Sequence, residues 1–145
     1  MVLVFYRGGW CAYCNLHLRG FQRALPELKK LGAQVVAVSP QVPDNSLSTQ
    51  EKDQLTFPVL SDVGNKVASR FGVVFQLSKE LQEFYRRFGH PLDLFNGPHG
   101  KQHLPVPATF LIDRNGTIRL THVDADYTQR LDPDDVVEKL SEPAE

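Results

Sequence analysis

The sequence predicts an α/β fold with a central mixed β-sheet flanked by helices. Three observations support this prediction. Short apolar and β-branched runs alternate along the chain with longer segments whose apolar residues recur at helical spacing. A helix lies between the first two runs, which makes those strands parallel through a right-handed crossover. The pair Asn115-Gly116 separates two later runs and favours a tight turn between antiparallel strands.

The first half of the chain contains three strands and three helices in this prediction. The expected strands are residues 2–6, 34–39 and 57–60. The first helix begins at the cysteines and ends at Gly32, and Pro26 is expected to kink or restart it. Two shorter helices are expected at residues 46–55 and 65–71, between turns rich in Pro, Asp and Gly.

The second half begins with a helix over residues 78–88, because Leu and aromatic residues recur there at helical spacing. A long loop over residues 89–104 follows, and it carries His90, His99 and His103. Loops of this length are usually lids or binding elements. Strands over residues 109–112 and 117–123 form the hairpin. The closing helix begins with Asp132 as its N-cap and Pro133 in its first position.

Length and charge restrict the function. The 145 residues are expected to form one domain, and 16 Lys and Arg nearly balance 17 Asp and Glu, so no basic surface for nucleic acid is expected. The chain contains no segment of membrane-spanning length, and its start is too short for a signal-peptide core. We therefore expect a cytoplasmic protein that binds neither nucleic acid nor membranes.

The most informative motif contains both cysteines of the chain, Cys11 and Cys14, directly after Trp10. A Cys-x-x-Cys pair at a strand-to-helix junction can close a small disulfide ring with little backbone movement. The free N–H groups and the dipole of a helix N-terminus also stabilise a thiolate. In a reducing compartment such a pair is more often catalytic or metal-binding than structural. The motif therefore predicts redox chemistry.

The element order and four motifs carry a family resemblance. The order of strands and helices is that of the thioredoxin fold. Residues 5–14, 57–62, 71–73 and 107–113 resemble the peroxiredoxin-like branch of the alkyl hydroperoxide reductase and thiol-specific antioxidant family. The resemblance covers nearly the whole chain and implies a single domain over residues 1–145 without the usual N-terminal segment. Either the chain is truncated, or a neighbouring copy fills that place, as in a homodimer.

The resemblance implies two different roles for the cysteines. Against peroxiredoxins, Cys14 matches the peroxidatic cysteine, Cys11 replaces a threonine, and Pro107 replaces the activating arginine. Against thioredoxin, Cys11 matches the nucleophile, Cys14 the resolving thiol, and Pro107 the cis-proline that faces the dithiol. The thioredoxin comparison further implies that the backbone of Val106 pairs with an incoming substrate chain. Trp10 is expected to shape the substrate groove.

These comparisons favour thiol-disulfide exchange, with Cys11 as nucleophile and Cys14 as resolving thiol. The alternative is a thiol-dependent peroxidase in which Cys14 attacks hydrogen peroxide or an alkyl hydroperoxide. Such a peroxidase is expected to be poor unless Arg7, or the backbone N–H groups near Gly8 and Gly9, replace the missing donors. Both cycles need no cofactor beyond the redox-active disulfide and an external donor of the thioredoxin or glutathione type.

A non-catalytic module is the third alternative, holding either a structural disulfide or a zinc ion. Cys11 and Cys14 with His99 and His103 have the ligand types and local spacings of a zinc site. Since a domain of this size needs no metal to fold, no metal is expected.

Several further side chains are expected to have ordinary structural roles. We expect a partly exposed His17 on the first helix, although its spacing would allow it to stabilise the Cys14 thiolate. Arg7 and Arg130 are expected to be surface charges. The aromatic residues between positions 77 and 88 are expected to form core or dimer contacts.

Overall fold

The computed structural model of the chain describes residues 1–143. Within this range the chain forms seven strands and six helices. In chain order they are β1 (Val2–Phe5), α1 (Ala12–Lys30), β2 (Val35–Ser39), α2 (Pro43–Lys52), β3 (Val59–Ser61), α3 (Lys66–Arg70), β4 (Val74–Gln76), α4 (Lys79–Arg87), α5 (Leu92–Asn96), β5 (His103–Pro105), β6 (Ala108–Ile112), β7 (Ile118–Val123) and α6 (Pro133–Ser141).

A five-stranded mixed sheet forms the centre of the domain, with strand order β3-β2-β1-β6-β7. Strands β1, β2 and β3 are parallel, whereas β6 is antiparallel to both β1 and β7. The predicted crossover and the predicted hairpin are therefore both confirmed. Because β1 is central, the chain that leaves its carboxyl end emerges at the middle of the sheet edge.

The side chains of β1 alternate between two cores. Val2 and Val4, together with Tyr6 just after the strand, lie in a cluster with the apolar face of α1 and with Val136 of α6. Leu3 and Phe5 lie on the opposite face of the sheet, in a second cluster. This alternation follows from the period-2 geometry of a strand. Each buried apolar side chain contributes about 1.5–3 kcal/mol, so β1 is firmly held between the two layers.

Two expectations about the helices need correction. Helix α1 runs unbroken from Ala12 to Lys30, so it does not restart at Pro26, which lies on its exposed side between the buried Leu25 and Leu28. A kink at Pro26 stays a prediction. Packing of those two leucines on the core holds the helix together past the proline. Helix α2 begins at Pro43, three residues before the predicted start, with the proline in its first turn.

The predicted loop over residues 89–104 is also partly wrong, because it contains α5 and β5. Strand β5 pairs with β4 in a small antiparallel sheet, with Val74 opposite Pro105 and Gln76 opposite His103. Both strands have only three residues, too few for a periodic pattern in the sequence. None of the helices in residues 1–143 is long and apolar enough to cross a membrane.

Candidate active site

The two cysteines lie where the chain passes from the end of β1 into α1. Cys11 is the N-cap residue of α1, and its carbonyl accepts a hydrogen bond from the backbone N–H of Asn15 at 3.0 Å. Cys14 lies one turn further, inside the helix. Cys11 is 5% exposed and Cys14 is fully buried, and both are free thiols. The dithiol is thus at the helix N-terminus, as the motif predicts, but it is largely closed to solvent.

The surroundings of the two thiols shift their pKa values in opposite directions. The pKa of Cys11 is lowered to about 5, and the largest cause is a hydrogen bond from the Cys14 thiol. Burial opposes this effect, while the Cys14 backbone amide, Arg7 and Arg130 make smaller contributions in the same direction as the thiol. Burial raises the pKa of Cys14 well above its ordinary value. In the reduced protein Cys11 therefore carries the negative charge and Cys14 keeps its proton.

Arg7 is a buried residue beside Cys11, so the expectation of a surface charge is wrong. Only 5% of it is exposed, and its Nη1 lies 4.0 Å from Cys11 Sγ. Its guanidinium carbon lies 4.8 Å from the ring centre of Trp10 and 4.6 Å from that of Tyr127. Nη2 of Arg7 donates a hydrogen bond to the hydroxyl of Tyr85. The aromatic rings keep water from Arg7 while leaving its charge available to Cys11.

Arg130 is the second arginine of the site, and it too differs from the expected surface charge. Its Nη2 lies 3.3 Å from Cys14 Sγ. Its Nε donates a hydrogen bond of 2.6 Å to the carbonyl oxygen of Tyr127, which orients the guanidinium. Nη1 of the same group is buried and has no hydrogen-bond partner within residues 1–143. Each sulfur of the dithiol therefore has its own guanidinium.

The loop over residues 124–132, between β7 and α6, brings Arg130 to Cys14. The loop is held by its own side chains: Asp126 Oδ1 accepts hydrogen bonds from the backbone N–H and the hydroxyl of Thr128 at 3.0 and 2.7 Å. The ring of Tyr127 packs against that of Tyr13, with ring centres 5.6 Å apart. Such side-chain-to-backbone bonds are a usual way to fix a tight loop. Tyr127 thereby links Arg130, through its carbonyl, to Arg7, through its ring.

A buried polar network fixes the loop between β1 and α1. The backbone N–H of Gly9 donates to Gln41 Oε1 at 3.0 Å, and the side-chain amide of Asn15 donates to Gly9 O at 2.7 Å. Gln41 in turn donates to the hydroxyls of Tyr6 and Thr49, both at 3.2 Å. Burial raises the pKa of Tyr6, so its hydroxyl stays protonated. The network supports the backbone that carries Arg7 and Trp10.

Trp10 lies at the edge of the dithiol site, as expected, but its ring is engaged by the protein itself. It contacts Tyr85 with ring centres 5.3 Å apart and His90 with ring centres 5.2 Å apart. A Cβ atom at Gly8 would overlap the indole nitrogen of Trp10, so the ring requires glycine at that position. A role of Trp10 in substrate binding remains a prediction.

His17 is buried rather than partly exposed. It is 9% exposed, its Nε2 lies 2.7 Å from the carbonyl oxygen of Leu131, and its ring packs edge-on against Phe21. Because the carbonyl accepts, Nε2 carries the proton. Burial lowers the pKa of His17 to about 4, so the ring is neutral near pH 7. It therefore supplies no positive charge to Cys14.

The expected substrate-pairing segment needs correction. No peptide bond within residues 1–143 is cis, so the bond between Val106 and Pro107 is trans. The backbone N–H of Val106 donates to the carbonyl of Val73 at 2.6 Å, and its side chain packs on the Leu3 and Phe5 cluster. This N–H is therefore not available to a substrate chain. Contact between substrate and Pro107 stays a prediction, without the cis bond on which it rested.

His99 and His103 form no metal site with the cysteines, although His90 of the same loop contacts Trp10. His103 lies in β5 opposite Gln76, and His99 is an exposed turn residue. Residues 1–143 contain no group of three or more His, Cys, Asp or Glu side chains that could hold a metal ion. The zinc alternative therefore lacks a donor set in this part of the chain.

Tyr85 and Tyr127 are site residues that the sequence analysis does not identify. Leu77, Leu81 and Tyr85 form the expected core contact, whereas Phe84 and Phe88 are 52% and 65% exposed. Tyr85 also contacts Arg7 and Trp10. The sequence offers one indirect signal for these two tyrosines. The family threonine and arginine are missing, and a redox site without those donors needs other cations, which here are the arginines that Tyr85 and Tyr127 contact.

Comparisons with known sequences show which family this chain belongs to. The profile of the AhpC/TSA family matches residues 1–121. The chloroplastic peroxiredoxin Q of Gentiana triflora is 28% identical over 122 residues, which are 84% of this chain and 46% of that protein. The corresponding protein of Suaeda salsa is 29% identical over the same lengths and shares. The chain thus spans about half the length of these curated relatives.

Solved structures agree with the fold. The bacterioferritin comigratory protein of Xanthomonas campestris superposes with a TM-score of 0.74 at 20% identity, over 99% of this chain and 78% of that one. Peroxidoxin BcpB of Mycobacterium tuberculosis gives a TM-score of 0.71 at 20% identity, over 96% of this chain and 76% of that one. The likeness confirms the predicted thioredoxin-like fold.

Proposed function

Because the chain belongs to the AhpC/TSA family, we propose that it is a thiol-dependent peroxidase that reduces hydrogen peroxide or alkyl hydroperoxides. Cys11 and Cys14 form the redox pair. The relatives support this choice of oxidant, since they are named as peroxiredoxins, and the study of the Xanthomonas protein concerns alkyl peroxide reduction. Of the two enzyme activities expected from the sequence, the peroxidase is now the better supported.

The observation that carries the proposal is the buried Arg7 beside the Cys11 sulfur. Peroxide reduction by a thiolate needs a donor that stabilises the leaving oxygen, and a well-placed donor contributes about 10²- to 10³-fold. The family arginine is replaced by Pro107, but Arg7 provides a guanidinium from another part of the chain. The position of Arg7 next to the thiolate therefore supports its proposed role as the replacement for the missing donor.

In the first step, the Cys11 thiolate attacks one oxygen of the peroxide. A sulfur–oxygen bond forms as the O–O bond breaks, sulfur is oxidised to a sulfenic acid, and the peroxide is reduced to an alkoxide or hydroxide. Arg7 stabilises the charge on that leaving oxygen, and the proton of the Cys14 thiol is available to neutralise it. In the second step the Cys14 thiolate displaces hydroxide from Cys11 to close the disulfide.

This order of attack is the reverse of the one that the peroxiredoxin resemblance implies, in which Cys14 attacks first. Burial and the raised pKa of Cys14 favour its neutral thiol, whereas Cys11 is ionised and is the more exposed of the two residues, at 5% against 0%. Since the thiolate is the nucleophile, Cys11 is the better first attacker. Cys14 then has the role of the resolving thiol, as in the thioredoxin comparison.

Exchange with protein disulfides is the second candidate function, favoured by the low pKa of Cys11 at a helix N-terminus. Two features weaken it. Cys11 is only 5% exposed, and the N–H of Val106 is already bonded to Val73. A small peroxide fits such a closed site better than a protein disulfide does. The electron donor that reopens the Cys11–Cys14 disulfide is proposed to be a thiol of the thioredoxin or glutathione type.

Trapping of the first oxidised sulfur tests the proposal. Reduced, metal-free Cys14→Ser and Cys11→Ser proteins are treated with hydrogen peroxide and dimedone, and the adduct is located by peptide mass spectrometry. We expect a dimedone adduct on Cys11 in Cys14→Ser, and at least about 10²-fold slower oxidation in Cys11→Ser. A rapid adduct on Cys14 in Cys11→Ser would reverse the order. If neither variant forms an adduct while the wild-type protein reduces insulin disulfides, the peroxidase proposal is wrong.

A further inference from the structure

Arg130 has a contact that the first step of the proposed reaction does not use. Its guanidinium contacts the sulfur of Cys14, at 3.3 Å, whereas Arg7 contacts that of Cys11. We propose that Arg130 is the catalytic residue of the second half-reaction and stabilises the Cys14 thiolate that closes the disulfide. This inference rests on the proposed function in one respect: Cys11 is the thiol that is oxidised first.

The position of Arg130 is set by its own loop rather than by a carboxylate partner. Nε donates to the carbonyl of Tyr127 at 2.6 Å, and the loop is braced by the bonds from Asp126 to Thr128. Within residues 1–143, no Asp or Glu forms a salt bridge with Arg130. Its charge is therefore not neutralised by an acid and is available to a thiolate at Cys14.

The groups that act on Cys14 change when Cys11 is oxidised. In the reduced protein, burial, the hydrogen bond to Cys11 and the negative charge on Cys11 all raise the pKa of Cys14, and Arg130 lowers it. Oxidation to a sulfenic acid removes the negative charge from Cys11. The repulsion disappears while the contact with Arg130 remains, so Cys14 ionises more readily. Cys14 thus becomes a nucleophile only after Cys11 has reacted.

Closure of the disulfide requires one proton transfer and one displacement. The Cys14 thiol gives its proton to the oxygen that leaves the peroxide, and the resulting thiolate pairs with Arg130. Its electron pair then forms the S–S bond with Cys11 as the sulfur–oxygen bond breaks, and hydroxide leaves and takes a proton from solvent to become water. Nη1 of Arg130 is a buried donor without a partner within residues 1–143, so it can bind this departing oxygen. The guanidinium of Arg130 would then stabilise both the attacking Cys14 thiolate and the departing oxygen.

The test compares Arg130→Gln with the exposed Arg23→Gln on the same helix as the dithiol, in otherwise wild-type protein. Hydrogen peroxide is mixed with each reduced protein, and sulfenic acid, disulfide and free thiols are quantified over time. For Arg130→Gln we expect Cys11 oxidation within about 3-fold of wild type, disulfide closure slower by about 10- to 100-fold, and accumulation of the Cys11 sulfenic acid. Arg23→Gln should behave as wild type.

A second assay keeps the inference testable if the protein turns out not to reduce peroxide. The neutral disulfide 4,4′-dithiodipyridine labels Cys11 and releases one thiopyridone, and attack by Cys14 releases a second. We expect Arg130→Gln to slow only the second release and to move its pH dependence to higher pH. Arg130→Lys should restore part of the rate, because it keeps the charge without the planar donor pair.

Two results would overturn the proposal. One is a second thiopyridone release, or a disulfide closure, as fast in Arg130→Gln as in wild type. The other is an equal slowing of both steps, which would show that Arg130 merely supports the site. Urea unfolding of each variant shows whether it is folded, and if Arg130→Gln is unfolded, the pH dependence of the second release in Arg130→Lys decides instead.

Discussion

Replacement of Arg7 by methionine tests the electrostatic basis of the first step. Methionine has a similar length and packs well against the rings of Trp10 and Tyr127, so the change removes the charge with little loss of packing. At 4.0 Å from Cys11 Sγ, a unit charge in an effective dielectric of about 20 contributes about 4 kcal/mol, which corresponds to a pKa change of about 3. This value is an upper bound, because Arg7 lowers the pKa of Cys11 less than the thiol and the backbone amide of Cys14 do.

We therefore expect the pKa of Cys11 to rise by about 1 to 3 in Arg7→Met. The assay is the pH dependence of iodoacetamide alkylation, which reports the thiolate. The wild-type midpoint should lie near the pKa of about 5. At pH values above the midpoint, alkylation of the variant should recover fully. Oxidation by hydrogen peroxide should not recover and should stay slower by about 10²-fold, because the donor to the leaving oxygen is missing.

The two reagents separate the two roles of Arg7. Arg7→Lys is the matched control, since it keeps the charge but not the planar donor group. It should preserve most of the low pKa and lose part of the peroxide rate. If Arg7→Met leaves both the alkylation midpoint and the peroxide rate unchanged, Arg7 does not act on Cys11, and the argument for a replaced donor fails. Urea unfolding excludes a general loss of structure.

Three further expectations concern the neighbouring structure. The pKa of His17 is about 4 in the folded protein and about 6.5 in the unfolded chain. The unfolded state therefore binds more protons between these pH values. As the pH is lowered from 6.5 to 4, the free energy of unfolding should fall by at most about 3 kcal/mol. Urea unfolding at several pH values should show this loss in wild type and a smaller one in His17→Gln; equal slopes would contradict it. Phe21→Ala removes a fully buried ring of the main core and should lower the free energy of unfolding by about 3–5 kcal/mol, and a loss below 1 kcal/mol would contradict its core role. Gly8→Ala should displace the indole of Trp10, which intrinsic fluorescence would detect as a shifted emission maximum, whereas an unchanged spectrum would argue against the close contact.

The sequence predicts the fold well because the fold depends on patterns within single segments. The apolar run of β1, the helical spacing of α1 and the Asn115-Gly116 turn are each visible over a few residues, and the structure confirms all three elements. The pairing of β4 with β5 is not visible in this way, since two three-residue strands separated by two helices carry no periodic signal.

The position of the dithiol is predictable for the same reason, but its electrostatic surroundings are not. Cys11 and Cys14 are neighbours in sequence, whereas Arg130 reaches Cys14 from a loop 116 positions away and Tyr85 reaches Arg7 from 78 positions away. An arginine in a polar segment looks like a surface charge until the path of the chain is known. The burial of His17 likewise depends on the loop that carries Leu131.

The rate at which hydrogen peroxide oxidises the reduced wild-type protein tests the central claim most directly. Stopped-flow fluorescence of Trp10, with a parallel count of free thiols at pH 7, gives this rate beside that of free cysteine. Full ionisation of Cys11 alone gives little advantage, because the gain of about 30-fold in thiolate is offset by the lower nucleophilicity of a weakly basic thiolate. Any large excess must come from groups of the site that stabilise the leaving oxygen, among which we propose Arg7 as the main one. We expect both thiols to be lost at least about 10²-fold faster than free cysteine reacts. A rate within a few-fold of free cysteine would contradict the assignment as a peroxidase.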